Sequence, residues 1–174
     1  MKKALLVIDM QKDYFEGGRF PLSNADKTLE RVTKAIKKAK DANIPVILIK
    51  HVSNVTKGIS PFLNEGTKGA EIHHDILNAA PDAEVVIKQY ADGFYKTNLE
   101  YILVTLGIEE ILVCGMMTQN SITHTAISKN AEKYKVKVLK DCCTTVNETI
   151  NQIALEGLST RVDLVDYEDV MWFA

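Results

Sequence analysis

The sequence has little of what marks a nucleic-acid-binding or membrane protein. Its 21 Lys and Arg residues are outnumbered by 23 Asp and Glu residues, which gives a formal charge of -2. There is therefore no basic surplus to neutralise a phosphate backbone or an anionic bilayer. The N-terminal apolar run ends at Asp9, which makes it too short for a signal peptide or a membrane span. We expect a cytoplasmic protein that binds neither nucleic acid nor a membrane.

Cysteine is also scarce. The chain has three cysteines, Cys114, Cys142 and Cys143, and an odd number with an adjacent pair suits neither a disulfide framework nor a C-x-x-C metal site. We expect reduced thiols. Cys114 continues an apolar run and is expected to be a small buried hydrophobe, whereas the adjacent pair is expected just after the fifth strand.

The sequence does contain short apolar, β-branched runs that alternate with segments of helical period. Strands are predicted at residues 4–8, 45–49, 84–87, 111–114, 136–139 and 161–165, and helices at 25–42, 98–106, 119–134 and 146–157. This alternation predicts an α/β fold, a three-layer αβα arrangement with a mostly parallel, six-stranded, Rossmann-like sheet. With 174 residues, 46% of them hydrophobic, we expect a single domain spanning residues 1–174. Residues 52–81 break the pattern and are predicted to form a functional loop.

Chemically distinctive side chains follow several of these strands. In an open α/β sheet, ligands bind outside the carboxyl ends of the strands, and there the sequence has Asp9 after strand one, Lys88 after strand three and Ser121 after strand four. A turn cap is the alternative for Asp9, and a solvated strand end is the alternative for Lys88. Taken together they favour a site, because a carboxylate beside an ammonium stays ionised and can accept a proton from a nucleophile. Weaker candidates at the same edge are Lys50, His51 and Asp141.

Motifs along nearly the whole chain add a resemblance. They are LVIDMQKDYF at residues 6–15, Phe62, GT at 66–67, Gly69, EI at 71–72, VIK at 86–88, Phe94, TNL at 97–99 and GMMTQNS at 115–121. In this order and spacing, the chain resembles the isochorismatase-like cysteine hydrolases. That superfamily includes nicotinamidases, N-carbamoylsarcosine amidohydrolases and isochorismatases. The resemblance implies hydrolysis of an amide or other C–N bond of a small molecule through an acyl-enzyme.

The resemblance also implies a role for each site residue. Asp9 is the expected general base, Lys88 is the cation that orients Asp9 and lowers the pKa of the nucleophile, and Ser121 occupies the nucleophile position. A cis peptide bond is expected between Met116 and Met117. The backbone N–H groups of Met117 and Ser121 are expected to form an oxyanion hole.

Position 121 departs from the family pattern G-x-x-T-x-x-C, in which the last residue is the nucleophilic cysteine. A nearby cation can bring a thiol pKa of about 8.5 down to neutrality, whereas a serine hydroxyl needs an adjacent base such as histidine. We expect the chain as written to be much slower than a cysteine relative. Three explanations stay open, of which the first is favoured: a deliberate Cys-to-Ser substitution that traps a ligand, a natural vinyl-ether hydrolase with Asp9 as general acid, or a binding protein that has lost the chemistry.

The resemblance raises the question of a metal. Nicotinamidases carry a D-x-H-x-x-x-H-like cluster after strand two, where this chain has His51 and no second histidine at matching spacing. The pair His73 and His74, followed by Asp75, is expected to point in different directions, as adjacent helical residues do. We therefore predict no metal and no cofactor, and nicotinamidase becomes the less favoured activity.

Substrate contacts and assembly are predicted from the remaining residues. The aromatic residues expected to wall a small, flat ligand are Phe15, Phe62, Tyr90 and Phe94, with core packing as the alternative for most of them. Gln119 or Asn120 is expected to hydrogen-bond an amide. The apolar segment 170–174 is too hydrophobic to stay exposed. It either packs back on the sheet or covers another subunit, and the resemblance implies a homo-oligomer, a dimer or larger.

Overall fold

A computed structural model describes residues 1–53 and 60–173. The strands are β1 Lys3–Ile8, β2 Val46–His51, β3 Glu84–Lys88, β4 Glu110–Met116, β5 Lys135–Thr144 and β6 Asp163–Val165. The α-helices are α1 Ala25–Asp41, α2 His74–Ala79, α3 Leu99–Thr105, α4 Thr123–Ala126 and α5 Glu148–Ser159. The strands form one six-stranded sheet in which every strand pair is parallel. The predicted αβα fold class is confirmed.

The order of the strands determines where a ligand can bind. The sheet runs β3-β2-β1-β4-β5-β6, so the direction of winding reverses between β1 and β4. A crevice opens at such a switch point, beyond the carboxyl ends of the two strands. Asp9 follows β1 directly and Ser121 lies five residues after the end of β4, so both candidate residues flank this crevice.

The sheet is covered on both faces by separate hydrophobic cores. Leu5 and Val7 of β1 belong to one core, together with the apolar face of α1, whereas Leu6 and Ile8 belong to the other, together with α3 and α5. This division follows from the alternation of side chains along a strand. A strand that is buried on both faces is typical of parallel sheets, and it gives the site a rigid base.

Three predicted elements differ from the structure. The predicted loop 52–81 contains α2, a helix of six residues that buries only Ile76 and is too short to show a period; residues 54–59 lie outside the described residues. Strand β5 runs on to Thr144 because a shift in register near Gly115 lets it continue pairing with β4. The helix predicted at 119–134 is broken into a π-helix (Thr118–Ile122), α4 and a 3-10 helix (Lys129–Lys133).

The C-terminal segment packs back on the protein. Val170 and Trp172 are both 7% exposed in the core beside α1, and the indole N–H of Trp172 donates to the carbonyl of Tyr167 at 2.9 Å. Met171 and Phe173 remain exposed, and residue 174 lies outside the described residues. A homo-oligomer therefore stays a prediction. Within the described ranges, no helix is both long and apolar enough to cross a bilayer.

Candidate active site

Asp9, Lys88 and Ser121 meet at the crevice. The Ser121 hydroxyl donates to Asp9 Oδ2 at 2.7 Å, Lys88 Nζ donates to Ser121 Oγ at 2.9 Å, and Lys88 Nζ lies 3.1 Å from Asp9 Oδ2. All three residues are at most 3% exposed. Each atom of the triangle is thus in hydrogen-bond distance of the other two, and the charged pair is almost entirely withdrawn from water.

The backbone at the end of β1 turns Asp9 into the crevice. Asp9 has a positive φ of 54°, a conformation that Asp and Asn tolerate better than most residues, while its N–H still donates to the carbonyl of Ile49 at 2.8 Å. Beside it, Gly115 has φ 127°, and a Cβ there would lie 2.0 Å from the carbonyl oxygen of Ile8. Glycine therefore lets β4 approach β1 closely where the chain leaves the sheet.

Lys88 has more neighbours than an ammonium has protons. Besides Asp9 and Ser121, its Nζ lies 2.9 Å from His51 Nδ1 and 3.1 Å from the carbonyl oxygen of Tyr90. Lys88 is 0% exposed, so these four acceptors replace water around the charge. Buried charges are tolerated only when they are paired and hydrogen-bonded in this way.

The chain between β4 and Ser121 has the geometry that the resemblance implies. The Met116–Met117 peptide bond is cis. Met117 then precedes the π-helix that contains Ser121, and this local widening of the helix accompanies the placement of the hydroxyl beside Asp9. The roles of the Met117 and Ser121 N–H groups in an oxyanion hole stay a prediction.

His51 contributes to the electrostatics of the site. Burial lowers its pKa, and the charge of Lys88 lowers it further, while Asp9 and the Tyr90 carbonyl act in the opposite direction. His51 is therefore neutral at physiological pH. In that state Nδ1 can accept a hydrogen bond from the Lys88 ammonium, since an ammonium is only a donor.

Three contributions to the site are not evident from the sequence. The side chain of Gln11, 0% exposed, accepts from His51 N at 2.9 Å and donates to His51 O at 2.7 Å. The second contribution is the contact between His51 and Lys88, which are paired in register on adjacent strands. That pairing is the feature from which the contact could have been predicted. Burial, with the nearby charges of Asp9 and Asp13, raises the pKa of the Tyr14 phenol well above its ordinary value, so Tyr14 is a neutral group near Asp9.

The aromatic residues expected to contact a ligand do not form one wall. Phe15 and Phe94 are each 5% exposed and belong to the cores on opposite faces of the sheet. Phe62 packs against the same core as Phe15. Tyr90 is partly exposed and contacts the ring of Tyr95, with 4.9 Å between centroids.

Gln119 and Asn120 differ in their surroundings. Asn120 is exposed, whereas Gln119 is partly buried in the π-helix. The Oε1 atom of Gln119 is buried and has no hydrogen-bond partner among the described residues. A buried carbonyl oxygen without a donor is costly, so Gln119 is the better candidate to accept an N–H from a ligand.

Two of the weaker candidate residues, Lys50 and Asp141, lie within strands. Lys50 is partly exposed at the end of β2. Asp141 was expected at the end of strand five, but it lies inside β5, where its Oδ1 accepts from Tyr167 N at 3.0 Å. That hydrogen bond holds the C-terminal segment against β5, and Asp141 does not belong to the triangle of Asp9, Lys88 and Ser121.

The cysteines are free and buried. Cys142 and Cys143 were expected after strand five but lie inside β5. Burial raises the pKa of Cys114 and of Cys142 well above the ordinary range, and it raises the pKa of Cys143 to about 12. None of these thiols supplies a thiolate at neutral pH.

The residues at the end of β2 do not suit a metal ion. His51 lies where the resemblance places ligands in nicotinamidases, but its Nδ1 is 2.9 Å from Lys88 Nζ, and an ammonium repels a divalent cation at this range. Val52 and Ser53 follow, and residues 54–59, including Asn54, lie outside the described residues. The described residues of this segment therefore do not support a metal-dependent reaction.

A cluster of ligand-type side chains occurs elsewhere. The ligand atoms of His73, His74 and Asp75 lie within 4.8 Å of one another. The expectation that the adjacent histidines point apart is wrong, since their rings stack with centroids 4.4 Å apart. The reason is that His73 is the extended N-cap of α2 and only His74 is helical. His73 Nδ1 already accepts from Asp75 N at 3.1 Å, and the absence of a metal stays a prediction.

Comparison with known proteins identifies the class. The isochorismatase domain model matches residues 3–168, so the chain belongs to the isochorismatase family of hydrolases. It is 34% identical over 146 residues to the uncharacterized isochorismatase family protein YddQ of Bacillus subtilis strain 168, covering 83% of this chain and 79% of that protein. It is 30% identical over 166 residues to nicotinamidase 3 of Arabidopsis thaliana, covering 90% and 80%.

A solved structure extends the comparison. A pyrazinamidase of Pyrococcus horikoshii in complex with zinc matches with a TM-score of 0.84 at 25% identity, over 95% of this chain and 99% of that chain. The likeness therefore spans the whole arrangement of sheet and helices. The suspected superfamily is confirmed.

Proposed function

We propose that this protein hydrolyses an amide or related C–N bond of a small molecule, with residue 121 at the position of a covalent nucleophile. The observation that carries the proposal is the closed triangle of Asp9 Oδ2, Lys88 Nζ and Ser121 Oγ, with sides of 2.7 to 3.1 Å. A nucleophile, a base and a cation in mutual hydrogen-bond contact are the parts that covalent acyl transfer needs.

With a thiol at position 121 the reaction proceeds in two stages. Asp9 takes the thiol proton, Lys88 stabilises the thiolate, and the sulfur attacks the amide carbonyl carbon. The carbonyl oxygen becomes an oxyanion facing the N–H groups of Met117 and residue 121. The C–N bond then breaks and Asp9 returns the proton to the leaving nitrogen. A water, deprotonated by Asp9, hydrolyses the thioester, and the thiol regains its proton.

With the hydroxyl of Ser121 the first stage is much slower. The base that faces Ser121 Oγ is the carboxylate of Asp9, a far weaker base than an alkoxide, and no histidine among the described residues hydrogen-bonds to that oxygen. His124, the nearest histidine in sequence, is exposed and contacts the carbonyl of Asn120. We interpret Ser121 as a Cys-to-Ser substitution that keeps the geometry of the site and removes most of its activity.

Gln119 supports an amide as the substrate. Its Oε1 is buried and has no hydrogen-bond partner in the described part of the chain, two residues before Ser121. An N–H of the substrate satisfies this acceptor, and an ester oxygen at the same place does not. We therefore infer that the ligand presents an N–H donor to Gln119.

The test is a Ser121→Cys variant. We expect kcat/KM on a panel of small amides to rise by at least about 100-fold over the unchanged chain, the size of effect that general-base activation of a nucleophile supplies. We also expect iodoacetamide to label the new thiol at pH 6, well below an ordinary thiol pKa of about 8.5. Ser159→Cys, at an exposed position at the end of α5, is the matched control and should label only at higher pH. Equal labelling of the two variants, without amide turnover, would exclude the proposal.

A second candidate function is favoured by the other carboxylate oxygen of Asp9. Asp9 Oδ1 is buried and has no hydrogen-bond partner among the described residues, so a protonated Asp9 has an oxygen free to deliver its proton to an enol-ether carbon. This is the isochorismatase type of vinyl-ether hydrolysis, which needs no thiol. Turnover of isochorismate by the unchanged chain, abolished in Asp9→Asn, would favour it. If neither amides nor isochorismate are turned over by either form, the alternative of a ligand-binding protein without catalytic activity is the one that remains.

A further inference from the structure

His51 is placed to control Lys88, a fully buried cation. Its Nδ1 lies 2.9 Å from Lys88 Nζ, and the two residues are register partners on adjacent parallel strands, so their side chains leave the sheet on the same face. None of the implied roles of Asp9, Lys88 and residue 121 requires a histidine here. The contact is therefore an additional feature of this site.

The backbone of His51 is held in place as well. Gln11, fully buried two residues beyond Asp9, brackets His51 with one hydrogen bond to its N–H and one from its own amide to the His51 carbonyl. A third hydrogen bond ties Gln11 to the carbonyl of Ala70 at 2.7 Å. Gln11 thus fixes the backbone that bears the imidazole, and it lies only two residues after Asp9, the proposed base.

Comparison of the protons on Lys88 Nζ with the acceptors around it indicates a function for the contact with His51. An ammonium has three protons, and four acceptors surround Nζ: Asp9 Oδ2, Ser121 Oγ, His51 Nδ1 and Tyr90 O. Two of them, Asp9 and residue 121, draw the ammonium towards the reacting atoms. His51 and the Tyr90 carbonyl add two contacts that do not involve the reacting atoms, and these help to fix the head of a side chain that otherwise has several rotamers.

We propose that neutral His51 is a positioning residue, whose Nδ1 accepts a hydrogen bond that fixes Lys88 over position 121, and whose protonation releases Lys88 and switches the site off in acid. The inference rests on the proposed function in so far as residue 121 is the nucleophile position. A protonated imidazole has no acceptor and carries a charge beside an ammonium, so it both breaks the hydrogen bond and repels Lys88. The charged or titratable side chains known to face His51 are Lys88 and Asp9, of which the first opposes and the second favours its protonation.

The first test needs no substitution and no substrate. Long-range nitrogen–proton NMR spectra of the unchanged protein should show His51 with Nδ1 unprotonated and Nε2 protonated at neutral pH. Its titration should have a midpoint below about 6.5, the ordinary histidine value. The opposite tautomer, with a proton on Nδ1, would overturn the proposal, because that nitrogen could not then accept from Lys88.

The second test measures the consequence for the nucleophile. In the Ser121→Cys background, His51→Asn keeps an acceptor oxygen near Lys88, whereas His51→Phe has none. We expect iodoacetamide labelling at position 121 at pH 7 to fall about tenfold in the Phe variant, as for a thiol pKa raised by one unit, and to stay within about threefold of the parent in the Asn variant. In the parent, labelling should also fall off in acid more steeply than in the Asn variant, which has no imidazole to protonate.

The outcomes separate the inference from the function on which it rests. If the parent Ser121→Cys thiol is no more reactive than the exposed Ser159→Cys thiol, the proposed function fails. If the parent thiol is activated and all three forms have the same pH profile, only the role of His51 fails. Circular dichroism of each variant establishes that the fold is kept.

Discussion

Replacement of Lys88 by methionine should destabilise the protein strongly, and the reason is the burial of its partner. Methionine fills much of the space of the lysine stem but leaves the Asp9 carboxylate 1% exposed without its cation. At an effective dielectric constant of about 20, unit charges 3.1 Å apart attract by about 5 kcal/mol. Withdrawal of each ion from water costs several kcal/mol. The pair therefore roughly breaks even, and loss of one partner should cost about 3–5 kcal/mol.

A double variant isolates this effect. Asp9→Asn removes the uncompensated charge, and asparagine tolerates the positive φ of 54° at position 9. We expect Asp9→Asn with Lys88→Met to be more stable than Lys88→Met alone, with a coupling energy of about 2 kcal/mol, inside the usual range for contacting residues. Urea unfolding at neutral pH measures all four forms. Additive losses, or a double variant less stable than the single one, would show that burial of the charge is not what Lys88 compensates.

Three further changes test other parts of the structure. Gly115→Ala should lose about 4 kcal/mol or more by urea unfolding, because its Cβ would lie 2.0 Å from the Ile8 carbonyl at a φ of 127°; Gly157→Ala, whose Cβ meets nothing within 4 Å, should instead gain up to about 1 kcal/mol. Asn147→Ala should cost about 1 kcal/mol, since its side chain caps α5 by accepting a backbone N–H at 2.9 Å; an unchanged midpoint would refute that cap. Because the folded-state pKa of His51 is lowered, its contribution to stability is present above pH 6.5 or so and is lost as the unfolded state takes up a proton below it. Relative to His51→Asn, the unchanged protein should therefore lose stability as the pH falls below about 6.5, and a constant difference would contradict this.

The sheet could be predicted from the sequence because its central strands are continuous apolar runs that are buried along their whole length. Residues 4–8 and 111–114 are continuous apolar runs, which only a strand covered on both faces accommodates in so few residues. Once parallel strands are assumed, the rule that ligands bind beyond their carboxyl ends selects Asp9 and Lys88 without further information. The same rule also selected Asp141, which fails because β5 continues past it through a shift in register. Such a shift depends on pairing with β4 and has no local signal.

Contacts between side chains were less predictable. Gln11 belongs to the motif at residues 6–15, but its hydrogen bonds to His51 depend on the turn after β1. The π-helix around Ser121 and the break after α4 follow from how the segment packs against the sheet, since its apolar residues fit one continuous helix equally well. Phe15 and Phe94 looked alike as aromatic loop residues, and only the three-dimensional structure shows that they belong to different cores.

The energetics of the triangle bear on whether the chain is a relic that only binds. A buried ion pair is often replaceable by apolar residues with no loss, or with a gain of about 1–4 kcal/mol, so the fold alone does not require Asp9 and Lys88. The surrounding structure nevertheless supplies the positive φ of Asp9, the close approach at Gly115 and four acceptors for one ammonium. A pair that adds little net stability, yet is held so closely beside position 121, favours a role in chemistry at that position over a purely structural one. Under the proposed function, a hydroxyl in place of a thiol at position 121 alters only the nucleophile and leaves Asp9, Lys88 and their hydrogen-bond partners in place.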